Sequence, residues 1–263
     1  MGSPRPPAIH PTAVVHPGAR LAEGVEVGAF CVIDEHVELG AGTVIGHHVV
    51  ISGHARLGRN NRVYPFACLG QAPQDKKYRG EPTLLSVGDN NTIRECCTLN
   101  VGTAQDSGVT SLGDNNWIMA YAHLAHDCHL GSNIVLANAV QLAGHVTIGD
   151  HVILGGATLV HQFCSIGAHA FTAGGSVVLR DVPTYVMAGG NSAQPHGVNA
   201  EGLKRRGFSA EGIERIRRAY RTLYRSQLSF EEAKTAIAEQ AQEAAELVPL
   251  AEFLATSQRG IIR

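Results

Sequence analysis

Five residues carry the groups that transfer of an acyl group to a hydroxyl would need. His126, Gly144 and Gln162 are spaced eighteen residues apart, and Asp127 and His145 each follow one of them directly. An imidazole can take the hydroxyl proton, a carboxylate can orient the imidazole, and a glycine N–H can stabilise the oxyanion. These groups meet only if the chain returns to the same place every eighteen residues.

A repeat of six residues provides that return. An aliphatic residue stands at every sixth position, almost without a lapse, from Ile9 to Ile166. Hexapeptide repeats are typical of a parallel β-helix, in which three hexads close one triangular coil of eighteen residues. Neighbouring coils then pair as parallel strands about 4.8 Å apart. The sequence therefore predicts a mainly β protein, with a parallel β-helix over residues 1–190.

The repeat is interrupted twice and then ends. The interruptions fall at about 70–86 and 102–111, and insertions in a solenoid often carry function. Residues 191–263 are predicted to form a connecting segment and a C-terminal helical domain, with three helices from about residue 199. Ser209 and Ser229 are predicted to cap the first two helices, and Pro249 to open the third.

Composition excludes several classes of protein. A formal net charge of −2 over 263 residues gives no global attraction to nucleic acid or to an anionic membrane. Residues 1–7 contain no apolar leader segment, and no apolar run is long enough to span a bilayer. We therefore expect a cytoplasmic protein that neither binds nucleic acid nor inserts stably into membranes. The six cysteines form no CxxC pair, so disulfides and a zinc knot are not expected.

The histidines do not predict a metal site. His123 and His129 hold the same place in consecutive hexads, so a β-helix puts them on different faces. The gamma-class carbonic anhydrases, which share the hexapeptide β-helix, use a zinc pattern with two histidines five residues apart. No two histidines of this chain have that spacing. The sequence therefore predicts no bound metal.

Five separate strings resemble those of the UDP-N-acetylglucosamine O-acyltransferase family, whose reaction begins lipid A synthesis. They read QDKKYRGEPT at 74–83, AHLAHDC at 122–128, LAGHV at 142–146, HQFC at 161–164 and GVNAEGLKRRGF at 197–208. The resemblance implies a left-handed β-helix and a homotrimer with active sites between neighbouring prisms. It also implies a 3-hydroxyacyl donor carried on the phosphopantetheine of acyl carrier protein, UDP-N-acetylglucosamine as acceptor, and no other cofactor.

The same resemblance assigns roles to individual residues. His126 would be the general base for the sugar 3-hydroxyl, Asp127 would orient its ring, and the Gly144 N–H would stabilise the oxyanion. The substrate-binding residues would be Asp75, Lys77, His123, His145, Gln162, Asn199, Glu201, Arg205 and Arg206. Asp75, His123 and His145 would contact the glucosamine, whereas the four residues from 199 to 206 would face the nucleotide and its diphosphate.

The length of the acyl chain would be set along the late coils. Gly174 stands at the ruler position of the family and leaves room for a longer chain, whereas bulky Phe171 nearby would shorten the slot. The sequence departs from the family at Asn100 and Val101, where a His-Arg pair is usual. Neither the preferred acyl length nor the presence of a 3-hydroxyl or a 3-amino group on the acceptor follows from the sequence.

Other interpretations of the prism remain. The paralogue that N-acylates glucosamine carries an additional N-terminal domain, for which hexads beginning at Ile9 leave no room. Acetyltransferases that use coenzyme A lack a segment like the one at 197–208. A non-catalytic scaffold explains the prism but gives no purpose to the aligned His126 and Asp127. The arginines of the tail, from Arg215 to Arg225, form a basic surface on which an acidic carrier protein could dock.

Overall fold

The computed structural model describes residues 5–263, which form a triangular parallel β-helix followed by helices. Residues 1–4, which begin both the predicted prism and the segment considered as a leader, lie outside the described residues. Most strands are two residues long and alternate with short turns, as the hexads predict. The early strands are β1 Ala8–Ile9, β2 Val14–Val15, β3 Arg20–Leu21, β4 Glu26–Val27, β5 Val32–Ile33, β6 Glu38–Leu39, β7 Val44–Ile45, β8 Val50–Ile51, β9 His54–Leu57, β10 Arg62–Val63, β11 Cys68–Gln71, β12 Leu84–Val87, β13 Thr92–Ile93 and β14 Thr98–Asn100.

The second half of the prism continues the pattern and leads into the helices. Its strands are β15 Val109–Leu112, β16 Trp117–Ile118, β17 His123–Leu124, β18 His129–Leu130, β19 Val135–Leu136, β20 Gln141–Leu142, β21 Thr147–Ile148, β22 Ile153–Leu154, β23 Leu159–Val160, β24 Ser165–Ile166, β25 Phe171–Thr172, β26 Val177–Val178, β27 Val186–Gly189 and β28 Gln194–Val198. The helices are α1 Ala200–Arg205, α2 Ala210–Tyr224, α3 Phe230–Glu243 and α4 Val248–Thr256, with a 3₁₀ turn at Ala245–Leu247.

Every third strand joins the same sheet, which gives the prism three faces. Face A contains β1 and every third strand to β25, then β27 and β28; face B runs from β2 to β26, and face C from β3 to β24. In the uninterrupted part the register is eighteen residues, as in the pairing of His123 with Gln141 and of Gln141 with Leu159. His123 lies on face B and His129 on face C, as predicted.

The aliphatic residue of each hexad fills the interior of the prism. Ile33, Ile51, Leu69, Leu99 and Leu124 are each no more than 1% exposed. At the corner between faces C and A, an asparagine ladder takes the place of small apolar residues. The side chain of Asn91 accepts from the N–H of Asn116 and donates to the carbonyl of Gly113, at 2.8 and 2.9 Å. Backbone groups that the tight corner leaves unpaired thus find partners inside the prism.

Both insertions leave the prism at one corner, the corner between faces B and C. The first joins β11 to β12 through residues 72–83, and the second joins β14 to β15 through residues 101–108. The turn that carries His126 and Asp127 joins β17 to β18 and therefore lies at this corner in the next coil. The insertions are thus stacked directly before the candidate catalytic residues.

The tail contains four helices, whereas the sequence predicted three. The additional helix, α1, has only six residues and too little apolar periodicity to be recognised. Ser209 caps α2, the capping box of Ser229 and Glu232 is formed, and Pro249 lies in the first turn of α4, as predicted. Strand β28 pairs antiparallel with β27, so face A continues into the predicted connecting segment. Within residues 5–263, no helix is both long and apolar enough to cross a bilayer.

Candidate active site

His126 and Asp127 form a hydrogen-bonded pair at the corner between faces B and C. His126 Nδ1 lies 2.9 Å from Asp127 Oδ2. Asp127 is fully buried, whereas the His126 side chain is 17% exposed. Asp127 adopts a left-handed backbone conformation with φ of 57° as part of the corner turn. The imidazole therefore reaches solvent while the carboxylate behind it does not.

This contact defines which nitrogen of His126 is available. A carboxylate can only accept hydrogen bonds, so the proton between the two groups belongs to Nδ1. In the neutral ring Nε2 then carries the lone pair. No protein group within residues 5–263 hydrogen-bonds Nε2. The pair thus presents an unprotonated ring nitrogen toward the surface in the neutral form of His126, with its tautomer fixed from behind.

Gly144 lies beside the His126 ring in the next coil. The N–H of His145 donates to the His126 carbonyl at 3.0 Å, which fixes this register. Among the described residues, the Gly144 N–H has no acceptor. A Cβ at position 144 would lie 2.6 Å from His126 Cε1 and 2.8 Å from Nε2. Only glycine therefore lets the ring rest against this turn, and its N–H is the candidate donor to an oxyanion.

His145 is held between two carboxylates and an aromatic ring. Its Nδ1 lies 2.6 Å from Oδ2 of Asp106, a residue of the second insertion, and its Nε2 lies 3.9 Å from Asp127 Oδ2. The hydrogen bond to His145 lowers the pKa of Asp106. The Phe163 ring stacks on His145 with centroids 4.3 Å apart. The ring of His145 is therefore fixed beside the pair of His126 and Asp127.

His123 lies three residues before His126 on face B. Its Nδ1 lies 2.7 Å from the hydroxyl of Thr98. Burial, followed by repulsion from His126, lowers the pKa of His123. A neutral ring bonded through Nδ1 keeps Nε2 free for a polar ligand. Gln162, the third predicted member of the His126 and Gly144 column, is exposed at the same corner.

The first insertion places Asp75 and Lys77 close together near this corner. The N–H of Lys77 donates to Asp75 Oδ1 at 2.9 Å, and the Lys77 side chain is free to extend from the exposed backbone. Asn100 anchors the base of the insertion, because its amide donates to the carbonyls of Gln71 and Ala72 at 3.3 and 3.1 Å. Val101 is buried in the core. Asn100 and Val101, which stand where the family usually has a His-Arg pair, therefore stabilise the fold of this chain.

An apolar groove of about 370 Å³ runs along face B away from the catalytic pair. It begins at His123 and continues over Leu159 and Val177 to Leu179. Gly174 lies at the neighbouring corner between faces B and A. Phe171 belongs to β25 on face A, so the structure does not bring it into the groove of its own chain.

The predicted nucleotide-binding residues lie at a different corner, between faces C and A. Asn199 caps α1 and donates to the His169 carbonyl at 2.9 Å, and Arg206 donates to the His151 carbonyl at 3.0 Å. Both side chains therefore fasten α1 to the prism. Glu201 and Arg205 pair with each other in solvent. Within one chain the structure does not bring these residues to His126.

The junction between α1 and the prism contains a histidine that resists protonation. Burial, together with the charges of His151 and Arg206, lowers the pKa of His169 to about 4, and its Nδ1 has no partner among the described residues. The unfolded chain takes up this proton near pH 6.5. Between pH 6.5 and 4 the unfolded state therefore binds more protons, and stability falls as the pH falls.

We expect His169→Asn to weaken this pH dependence. Asparagine tolerates the φ of 60° at position 169 but cannot titrate. The unfolding midpoint in urea, measured from pH 7.5 to 4.5, should fall less steeply for this variant than for the wild type. His10→Asn, at an exposed histidine near the other end of the prism, is the control and should keep the wild-type slope. Equal slopes for wild type and His169→Asn would contradict the assignment.

Three donor atoms at the corner between faces B and C lie close enough to be considered as metal ligands. One atom each from His126, Asp127 and His145 lie within 4.8 Å of one another, and within residues 5–263 no other such group occurs. Hydrogen bonds already use Nδ1 of His126 and, through Asp127's contacts with His126 and Thr103, both oxygens of Asp127. This arrangement suits proton transfer, and the absence of a resident metal stays a prediction that metal analysis of the purified protein can check.

The residues contributed by the second insertion were not foreseen. Thr103 donates twice to Asp127, and Asp106 bonds His145. The interruption of the hexads identified the segment, but its amino-acid sequence did not indicate which side chains turn inward.

Two family models match parts of the chain. One, described as "Udp N-acetylglucosamine O-acyltransferase; Domain 2", matches residues 181–262, which include the helices. The other, "Bacterial transferase hexapeptide (six repeats)", matches residues 110–144, which include the candidate catalytic pair. The two matches therefore cover both parts of the structure.

The chain is also similar to relatives over nearly its whole length. An acyl-[acyl-carrier-protein]--UDP-N-acetylglucosamine O-acyltransferase of Herminiimonas arsenicoxydans is 56% identical over 97% of this chain and 99% of that protein. The protein of the same name from a Janthinobacterium species is 58% identical with the same coverage.

Solved structures give the same result. The UDP-N-acetylglucosamine acyltransferase of Francisella novicida has a TM-score of 0.95 and 46% identity over 97% of this chain and 94% of that chain. That of Moraxella catarrhalis has a TM-score of 0.95 and 42% identity, covering 97% of this chain and 99% of that chain. These similarities confirm the predicted fold class, a left-handed parallel β-helix with a C-terminal helical domain.

Proposed function

Because the chain belongs to the UDP-N-acetylglucosamine O-acyltransferase family, we propose that it transfers a 3-hydroxyacyl group from acyl carrier protein to the 3-hydroxyl of UDP-N-acetylglucosamine. This is the reaction that begins lipid A synthesis. One observation carries the proposal beyond family membership: His126, oriented by buried Asp127, packs against Gly144, whose N–H has no acceptor among the described residues. A base beside a residue that can supply an oxyanion donor provides the two groups that acyl transfer requires.

The reaction follows from these atoms. His126 Nε2 takes the proton of the sugar 3-hydroxyl as its oxygen bonds to the thioester carbonyl carbon. The carbonyl oxygen becomes an oxyanion, to which the Gly144 N–H donates. Collapse of this intermediate re-forms the carbonyl and breaks the carbon–sulfur bond. The proton held by His126 then passes to the departing thiolate of phosphopantetheine, so charges balance without any other cofactor.

We propose that the working enzyme is a homotrimer. The catalytic residues lie at the corner between faces B and C, whereas Asn199 and Arg205 lie near the corner between faces C and A. A single prism keeps these corners apart, and a neighbouring prism can bring them together. Tyr121, Leu159 and Phe163 are 64%, 45% and 50% exposed, which provides apolar surface for such contacts. Light scattering should give a mass of three 27.8-kDa chains.

We assign the apolar groove of face B to the acyl chain. It starts beside His123, close to the reacting centre, and its Leu159 and Leu179 side chains offer hydrocarbon contacts along its length. Asp75, Lys77, His123 and His145 are assigned to the sugar, Gln162 to the groove, and the residues of α1 to the nucleotide. Gly174 and Phe171 remain the proposed ruler, Phe171 acting from a neighbouring prism.

The arginines of α2 are the proposed docking surface for the acidic carrier protein. Arg217 and Arg221 both pair with Glu214, and Arg215 pairs with Glu246. Among the described residues, Arg218 and Arg225 have no carboxylate partner, and both line a groove of about 950 Å³. These two arginines therefore offer the least compensated charge.

We expect Arg218→Glu and Arg225→Glu each to raise the KM for acyl carrier protein several-fold at low salt. The KM for UDP-N-acetylglucosamine should not change, and added salt should reduce the difference because screening weakens exposed charge pairs. Arg5→Glu, at an exposed residue of the other end of the chain, is the control. An unchanged KM for the carrier protein in both variants would remove this surface from the proposal.

Mass spectrometry of the products tests the function itself. The purified protein is incubated with UDP-N-acetylglucosamine and a panel of 3-hydroxyacyl carrier proteins of different lengths. A hydroxylamine-sensitive ester on the sugar supports the proposal, and a stable amide would indicate N-acylation or a 3-amino acceptor. No product with any donor would contradict it. We also propose a cytoplasmic location.

A further inference from the structure

The second insertion and the strand that follows it contact Asp127. Near its start, Thr103 contacts the Asp127 carboxylate twice: its N–H donates to Oδ1 at 2.8 Å and its hydroxyl donates to Oδ2 at 2.6 Å. Directly after the insertion, in β15, the Thr110 hydroxyl accepts from the Asp127 N–H at 2.8 Å. The catalytic turn is therefore held by the insertion and by β15, in addition to the ordinary pairing between coils.

Gly102 allows this closure. A Cβ at position 102 would lie 2.3 Å from the Val109 N–H nitrogen and 2.8 Å from Asp127 Oδ1. The two ends of the insertion can therefore meet over the carboxylate only if residue 102 has no side chain. Thr103 itself is 1% exposed, so its hydroxyl cannot exchange Asp127 for water.

The contacts of Thr103 determine how Asp127 faces His126. Asp127 is fully buried, and within residues 5–263 its side chain accepts from three donors: the two of Thr103 and Nδ1 of His126. Within the same residues, no lysine or arginine forms an ion pair with it. The hydroxyl of Thr103 and Nδ1 of His126 share Oδ2, so the hydroxyl fixes the plane in which the histidine must lie.

We propose that Thr103 is a positioning residue for catalysis, acting through Asp127 on the orientation of His126. The inference rests on the proposed function. Thr103 touches neither substrate in this arrangement, because it is enclosed behind the catalytic pair. Its removal should therefore lower kcat while leaving both values of KM unchanged.

Thr103→Val tests this most cleanly, because it removes the hydroxyl donor but keeps the backbone N–H and the branched shape. A buried hydrogen bond to a charged group corresponds to a change of about 10- to 100-fold in rate. We expect kcat to fall by that factor with each KM within about twofold of the wild type. Thr103→Ser, which restores the donor, should recover kcat to within about fivefold. Thr103→Ala replaces the valine variant if the latter does not fold.

A double variant that also carries Asp127→Ala distinguishes a positioning role of Thr103 from general destabilisation. In Asp127→Ala the hydroxyl has nothing to orient, so adding Thr103→Val should lower kcat no further. A further loss in that background, equal impairment by Ser and Val, or a wild-type kcat in Thr103→Val would each overturn the inference. An inactive wild-type enzyme would instead contradict the proposed function and not this role of Thr103.

Discussion

His126→Ala should lower kcat by roughly 10² to 10⁴, the usual contribution of a positioned general base. The ring is 17% exposed and, among residues 5–263, is hydrogen-bonded through Nδ1 alone, so its loss removes the base without opening the apolar interior. Turnover is measured with saturating acyl carrier protein and UDP-N-acetylglucosamine. Because binding uses other residues, both values of KM should remain within a few-fold of the wild type.

The control for this variant must distinguish lost chemistry from lost structure. Light scattering and thermal unfolding should match the wild type, since the inward residues of the same coil are unchanged. His10→Ala is the control: its ring is exposed and hydrogen-bonded through Nδ1 to Thr12 in the first coil, away from the coil that carries His126. If His126→Ala retained more than a tenth of the wild-type kcat with an intact fold, another group would have to be the base.

Gly144→Ala should be the second largest loss, about 10²-fold in kcat. The added methyl would lie 2.6 Å from His126 Cε1, so the ring must move while the N–H at 144 is kept. A displacement of about 1 Å at a reacting group can cost on the order of 10² in rate. Gly156→Ala is the control, because a Cβ there has no neighbour closer than 3.4 Å. An active Gly144→Ala enzyme would show that His126 need not rest on this turn.

The fold could be predicted because the same hydrophobic pattern recurs in each hexad. Residues such as Ile33, Leu69 and Leu124 occupy the same place in their hexads, and an aliphatic residue there predicts a side chain that points inward. Three hexads then give the eighteen-residue coil. The contact of His126 with Gly144 is a consequence of the same arithmetic. A site built on a repeat can therefore be located by counting, even though no motif in the ordinary sense joins its members.

The spacing of the hexads could not predict the contacts that residues outside the repeat make. Thr103 and Asp106 belong to an insertion whose path depends on where its ends meet, and helix α1 is too short for a periodic pattern. Phe171 was expected beside the acyl slot, yet the face of each strand separates it from the groove of its own chain. Asn91 interrupts no hexad, but its role depends on backbone groups that only the folded corner leaves unpaired.

The hexapeptide pattern also could not predict that the candidate site residues lie at two different corners of the prism. Position along the chain places Asn199 and Arg206 far from His126, but it does not say on which edge of the prism the helical tail docks. The hydrogen bonds to the carbonyls of His151 and His169 fix that edge. The proposal of a trimer rests on this separation together with the exposed apolar surface.

One comparison tests the central claim most directly: the rate of ester formation on the sugar 3-hydroxyl by the wild type and by His126→Ala, in one assay with the product identified by tandem mass spectrometry. We predict a single O-acyl product from the wild type, formed at least about 100-fold more slowly by the variant. Equal rates of ester formation, or no ester from the folded wild-type protein, would contradict the account.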